Sequence, residues 1–417
     1  MNVIFIGQFT DASGYGEAAR GYLKSLVYHI TENNLNVNLA THTVQMEREN
    51  RDNYDQETAN LLEKRDIKYL SDLEYEKLLK DNDYVLIVFQ PLPYFELHKE
   101  YIDPRVKFMP QHHVTNQLIK NANKIISAAC WETDKFPDLW KEVWNKNTIA
   151  RMIVPSTFNE KIFSKTIECS LVPYLIEKIE TDKKVEKQRD TFTILSLFHW
   201  GYRKAPEKLL LAYNMEFRNH DDVQLLIKAY GSVTPGSKSL QEQEVGLRNV
   251  INETINSIPG AGDAYPHVLL TCDMMSPERI HELYRDVDLF ALVSRGEGFG
   301  LPIAEALINK IPVLVSKEGG HTDFVDPQAA FFVEGIWEPC LHAPPGTGYH
   351  YTQNLFEPRI SSMRKQFRNA YNLWKSGKLS AKGKKGYNYI KKSGYDRAAV
   401  GKKLVDILKK EYETINT

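Results

Sequence analysis

What this sequence lacks narrows it first. Cysteine is scarce: the 417 residues hold four, Cys130, Cys169, Cys272 and Cys340, scattered without a CxxC pair. That argues against a disulfide framework and a zinc site, and it fits a reducing cytoplasm. An excess of either charge is also absent. The 53 basic and 54 acidic side chains leave a formal net charge of -1, so no global pull toward nucleic acid or membrane is expected. No apolar run approaches the roughly 18 residues of a membrane-spanning helix. The opening "MNVIFIGQFT" has no basic leader and no small-residue cleavage site, and reads as a first strand rather than a signal peptide. The length exceeds one ordinary core and predicts two or three domains.

What is present is an alternation of short apolar runs with amphipathic stretches, the pattern of parallel sheets flanked by helices. In the first half "NVIFIG", "NVNLAT", "YVLIVFQ", "VKFMP", "KIISAAC" and "RMIVPS" read as strands. "GEAARGYLKSLVYHITEN" reads as the first helix, and "STFNEKIFSKT" as a helix with Ser156 or Thr157 near its N-cap. Residues 177–191, "EKIETDKKVEKQRDT", are charged and coreless, as a linker is. The alternation then restarts with "FTILSLF" and runs through "PVLVS". The fold class expected is α/β with two doubly wound units, residues 1–180 and 190–394. After residue 335 "EPCLHAPPGTGYHYTQN" reads as a long surface loop, and helices close the chain.

Two glycine-bearing turns carry the candidate chemistry. In "GQFTDASGYGEAARG", Gly14, Tyr15 and Gly16 open the first helix, where glycines let backbone approach a phosphate or sugar. Gly14-x-Gly16-x-x-Ala19 fits a dinucleotide fingerprint. The glycines lie well past Gly7, however, and "LATHT" offers no acid for a ribose, so a NAD site is not expected. An ordinary glycine-rich connection is the bland alternative.

The second is "SRGEGFGLPIAEAL", residues 294–307. Pro302 suits the first helical position, which places Glu305 in the first turn. The free amides of Gly300 and Leu301 form an anion site. Gly298 and Gly300, flanking Phe299, remove side chains that would block approach. Phosphate repels carboxylate, so Glu297 and Glu305 are suited to accept hydroxyl hydrogens instead. A diphosphate between two polyhydroxyl rings, as in a nucleotide sugar, meets both needs. The alternative is that Glu305 favours the helix dipole and Glu297 is a solvated charge. In "LFHWGYRKAPEKLLLAY", Arg203 and Lys204 follow a strand's carboxyl end, where open α/β sheets bind ligands. Two cations there neutralise a leaving diphosphate, unless they are only a surface pair.

With these residues in place, the chain resembles the retaining nucleotide-sugar glycosyltransferases of family 4, which have the GT-B fold. The most specific part is the E-x7-E motif, Glu297 to Glu305. The resemblance implies that Glu297 binds donor-sugar hydroxyls and Glu305 the ribose, with Gly14 to Gly16 facing the diphosphate. Lys204 aligns with the family lysine. The family's arginine position falls near His199, and either His199 or Arg203 takes its place. "CWETDKFPDLW", "VPSTFNEKIF" and "GGHTDFV" look like segments of one branch. Glu132 is then an acceptor-facing residue or half of a structural ion pair, and Asp323 a helix cap or a ligand contact. The resemblance further implies a first, acceptor-side domain and a second, donor-binding domain, with the helix from Tyr395 crossing back to the first. It implies transfer with retention of anomeric configuration.

No cofactor beyond the donor and no metal is expected, because "DVD" at 286–288 precedes its strand rather than ending one. The competing readings are a nucleotide-sugar-binding protein without transfer activity and a nucleotide-sugar epimerase on the same fold. The acid-free lysine segment 375–392 is a candidate for weak contact with an anionic surface, lipid or nucleic acid, with a solvated helix face as the alternative. A cytoplasmic enzyme, peripheral at a membrane if that contact forms, is the expected setting.

Overall fold

The computed structural model describes residues 1–44, 54–71, 74, 76–78, 84–89, 111–138, 140–141, 149–178, 190–231, 239–259, 265–341 and 348–414. The expected strand "VKFMP" and most of the expected linker lie outside the described residues.

Two six-stranded parallel sheets organise the chain. The first comprises β1 (Asn2–Gly7), β2 (Asn38–Thr43), β3 (Val85–Phe89), β4 (Lys124–Ala128), β5 (Ile149–Val154) and β6 (Cys169–Leu171), in the order β2-β1-β3-β4-β5-β6. Its inner strands are buried on both faces, which is why they read as continuous apolar runs rather than alternating ones. The helices over it are α1 (Gly14–Glu32), α2 (Gln56–Arg65), α3 (Gln111–Asn121) and α4 (Thr157–Phe163). Ser156 is the N-cap of α4, its hydroxyl accepting from Asn159 N at 3.3 Å.

The second sheet comprises β7 (Phe192–His199), β8 (Val223–Tyr230), β9 (His267–Thr271), β10 (Leu289–Leu292), β11 (Val313–Ser316) and β12 (Phe331–Val333), ordered β12-β11-β10-β7-β8-β9. Its helices are α5 (Pro206–Glu216), α6 (Leu240–Asn256), α7 (Pro277–Arg285) and α8 (Leu301–Ile308). Prolines stand at the first or second position of three of these helices, where a missing N–H costs nothing. Ser239 and Glu242 close a capping box on α6. Asp288 is a strand-entry residue, accepting from Thr193 N at 3.0 Å and so tying β10 to β7.

The residues on either side of the segment expected as a surface loop, 338–354, pair as an antiparallel hairpin, β13 (Gly335–Pro339) with β14 (Asn354–Pro358), which takes in only the ends of that segment. Trp337 and Phe356 meet edge to face across it, with ring centroids 6.0 Å apart at 70°, and cross-strand pairs of this kind outweigh the local prolines. The lysine-rich segment also differs from a bare charge run. Between α9 (Ile360–Lys375) and α11 (Arg397–Glu413) it forms α10 (Leu379–Lys391). Gly383 of α10 lies so close to Lys310 O that a Cβ would stand 2.0 Å from it.

α11 returns to the first sheet and lies along α1. Gly401 allows that approach, since a Cβ there would meet Ser25 O at 2.1 Å. Arg151 of β5 ties α11 to the first sheet through a buried ion pair to Glu411 at 2.8 Å. The seam between the halves is aromatic. Phe299 is buried against Tyr174 of the first half, with ring centroids 4.9 Å apart, and against Phe324 at 5.0 Å. Among the described residues no helix is long and apolar enough to cross a membrane.

Candidate functional site

The carboxyl ends of β1, β4, β7, β10 and β11 converge on this seam, the edge where doubly wound sheets bind ligands. After β10 the chain runs through Gly296 to Gly300 and enters α8. Gly300 is left-handed, with φ 94°, and among the described residues no side chain caps the helix; Pro302 has no N–H and Ile303 N donates to Gly300 O at 3.0 Å, so it is the Leu301 amide at the helix start that is suited to meet an anion. Helix α8 begins at Leu301, which moves Glu305 from the expected first turn to the fifth helical position. The helix nucleates one residue before Pro302 because Gly300 supplies the turn.

Glu297 is buried and turned toward β7. It accepts a hydrogen bond from Lys204 Nζ at 2.5 Å and lies 3.6 Å from Arg203 Nη1. Burial pushes its carboxyl up, but Lys204 and Arg203 outweigh that and hold it below its ordinary range. Both cations come from a short turn, Tyr202–Lys204, set between Gly201 and the left-handed Ala205 (φ 47°). Arg203 also donates to Gly296 O at 2.7 Å, so the basic pair is built into the glutamate loop. His199 lies elsewhere, its ring 5.1 Å from Tyr230 and packed over Gly231. It is Arg203 that stands beside Glu297.

Glu305 occupies a different environment. Its carboxylate accepts from the Tyr284 hydroxyl at 2.9 Å. Burial, then the charge of Glu17 on α1, raise its carboxyl to about 7, with Tyr284 opposing. The charge of Glu17, at the start of α1 and paired with Arg20, is thus felt at Glu305. The α1 loop itself splits in role. Gly14 has open space around it, whereas a Cβ on Gly16 would strike Asp11 O at 2.2 Å, so Gly16 serves its own turn. Tyr15 reaches across to donate to Cys130 O at 3.0 Å.

Sequence reasoning missed how tightly the glutamate loop meets the first half. A Cβ on Gly298 would stand 2.1 Å from Cys130 Sγ, and one on Gly296 2.4 Å from Glu132 O. The Ser156 hydroxyl donates to Gly298 O at 2.6 Å. Asp323 is a cap, but for α4 of the other half, accepting from Thr157 N at 2.7 Å and from its hydroxyl. His321 was also missed. Its Nε2–H donates to Ser316 O at 2.7 Å, which leaves Nδ1 as a buried acceptor without a partner among the described residues. Burial lowers its pKa and keeps the ring neutral. The segment "GGH" was the available signal. Glu132 lies 3.6 Å from Arg203 Nη2 and accepts from the Tyr349 hydroxyl at 3.0 Å.

Residues 265–338, which include both glutamates, match the family described as "Glycosyl transferases group 1". The fold is that of GT-B glycosyltransferases, and its second half carries a group 1 segment. A glycosyltransferase from Rickettsia africae ESF-5 superposes with a TM-score of 0.60 at 14% identity, covering 100% of this chain and 98% of that one. Sucrose-phosphate synthase from Thermosynechococcus elongatus gives 0.60 at 12% identity, covering 99% and 100%. Anabaena HepE in complex with UDP-glucose gives 0.54 at 12% identity, covering 98% and 100%. Among curated sequences, mannosylfructose-phosphate synthase of Agrobacterium fabrum is 32% identical over 101 residues, 22% of this chain and 21% of that protein. "Uncharacterized protein 356" of Sulfolobus islandicus rod-shaped virus 1 is 26% identical over 172 residues, 41% and 39%. The chain thus spans well under half the length of these two curated relatives.

Proposed function

We propose that this protein is a retaining glycosyltransferase that moves a sugar from a nucleotide-diphosphate sugar to a hydroxyl acceptor. The observation that carries this reading is the buried Glu297–Lys204–Arg203 cluster beside the uncapped start of α8. The uncapped start of α8, at Gly300 and Leu301, receives the diphosphate, and Arg203 and Lys204 stabilise its negative charge as it leaves. Two fixed cations fill the role a divalent ion has in other transferases, so the proposal requires no metal. Glu297, held ionised, accepts a hydroxyl of the donor sugar, and Glu305 accepts ribose hydroxyls. The acceptor oxygen attacks on the face from which the diphosphate departs, which retains configuration. The second half is the donor side and the first the acceptor side.

A fold-mate solved with UDP-glucose makes that compound the first donor to try. Incubation with UDP-glucose, UDP-N-acetylglucosamine and GDP-mannose, with and without sugar acceptors and with EDTA, is expected to release the nucleoside diphosphate. Proton NMR of the product is expected to show the donor's own anomeric configuration. Tight retention of a nucleotide sugar without turnover would favour a binding protein, and interconversion of the sugar without release would favour an epimerase. Inversion at the anomeric carbon would overturn the retaining reading.

A further inference from the structure

The hairpin arm of the second half crosses the seam and lands beside Glu132. Its described tip, residues 348–354, is braced on the first half. Asp134 accepts from Asn354 N and Nδ2, both at 2.7 Å, and donates its own N–H to Asn354 O at 3.1 Å. Gly348, with φ 77°, lies over Trp131, and the Tyr349 ring stands 5.1 Å from Trp131 at 37°. Trp131 is itself pinned, its indole N–H donating to Thr133 Oγ1 at 2.7 Å and its backbone N–H to Asn159 Oδ1 at 2.9 Å. Tyr349 is therefore a half-buried ring on a fixed support, with its hydroxyl on Glu132.

Glu132 and Glu297 flank one guanidinium. Arg203 Nη2 is 3.6 Å from the first and Nη1 is 3.6 Å from the second. A hydroxyl that reaches a donor sugar held by Glu297 passes next to Glu132 and Tyr349. An aromatic face beside a carboxylate and a phenol fits a pyranose, which offers a C–H face to the ring and hydroxyls to the polar groups. A simple alcohol or a peptide hydroxyl makes no use of the ring.

We infer that Tyr349 and Glu132, one from each half, form the subsite for a sugar ring of a glycan acceptor, and that Tyr349 sets acceptor specificity. This rests on the glycosyltransferase reading. The arm then makes acceptor binding depend on the two halves being together.

The test uses the full chain, the donor that turns over in the screen above (UDP-glucose first), and p-nitrophenyl glycosides of glucose, mannose and N-acetylglucosamine as acceptors, with glycerol as a ringless comparison. Tyr349→Ala is expected to raise the KM of the preferred glycoside about tenfold and Tyr349→Phe about threefold, while the donor KM shifts less than about twofold. Circular dichroism checks folding, and Tyr349→Phe, which keeps the ring, covers a failure of the alanine variant to fold. Parallel rises in donor and acceptor KM would mean that Tyr349 only braces the seam and would overturn the inference. Glycerol serving as well as the glycosides would overturn it too. A wild-type protein that turns over no nucleotide sugar breaks the transferase reading itself, and the inference falls with it.

Discussion

Each half of the molecule contains a strand that runs through glycines into a helix, and the two units use their glycines for opposite purposes. At α1 the loop closes on itself. Ser13 caps the helix by accepting from Gly16 N at 3.3 Å, and Gly16 is glycine because Asp11 O occupies the place of a side chain. At α8 no side chain caps the helix, and Gly296 and Gly298 are glycine because the other half occupies that place. Similar sequence text thus yields a self-contained turn in one half and a docking face at an uncapped helix start in the other. A helix start that is left uncapped while its loop is clamped is ready for an anionic ligand.

The sharpest break of this comparison is chemical. Glu297→Gln is expected to lower kcat by about 10²–10⁴-fold, because the amide neither holds Lys204 nor accepts hydroxyls as a carboxylate does. A change in the other loop, Ser13→Ala, is expected to leave kcat within about threefold. Initial rates of nucleoside diphosphate release measure both, and undiminished transfer by the Gln variant would show that the site is misassigned.

Steric variants come next. Gly298→Ala is expected to cost about 1–3 kcal/mol and to loosen the seam, as overpacking does. Adding Cys130→Ala removes the Sγ that stands 2.1 Å from the new Cβ and restores part of the loss. Gly14→Ala, which has open space around it, is expected to change stability by no more than about 1 kcal/mol. Urea midpoints of the single and double variants decide this; equal losses at Gly298 and Gly14 would erase the distinction between the two loops.

Titration separates the two glutamates of the motif. The folded pKa of Glu305, about 7, lies above its ordinary value of 4.5. The folded state therefore holds more protons than the unfolded chain in that window, and stability falls as pH rises through it. The loss is complete above about pH 7 and amounts to at most about 3 kcal/mol. Glu305→Gln is expected to match the wild type near pH 4 and to melt about 1–3 °C higher at pH 8, while binding donor more weakly. Equal melting temperatures across the range would remove Glu305 from its buried, acid-facing place.

The smallest effect is the cap. Ser13→Ala is expected to cost about 1 kcal/mol, with hydrogen exchange rising over the first turn of α1 and nowhere else. Any protection change at α8 would mean that the two loops are coupled.

Legibility varied by element. Parallel strands such as "VLIVF" and "FTILSLF" were readable because both faces are buried, so each run is apolar but for a rare small hydroxyl such as Thr193 or Ser196. The hairpin of β13 and β14 was not, because "GIWEP" is largely exposed and its pairing is with residues far along the chain. The glutamate motif and the basic pair stood out by residue type, yet their mutual hydrogen bond spans 93 positions in sequence and left no local trace. His321 was signalled only through the segment "GGHTDFV", and Tyr349 was silent, since a lone tyrosine in a loop carries no period.

By itself the sequence determined two α/β units, a helix start rich in glycine, and which charged residues were available near it. Those follow from hydrophobic periodicity and from turn chemistry, both of which act over a few residues. The tertiary structure decided which charges meet, that Asp323 caps a helix of the other half, and that Glu297 is held ionised while Glu305 is raised. These depend on burial and on distances across the seam. Desolvation and Coulomb interaction act through space, so the chain's order alone could not express them.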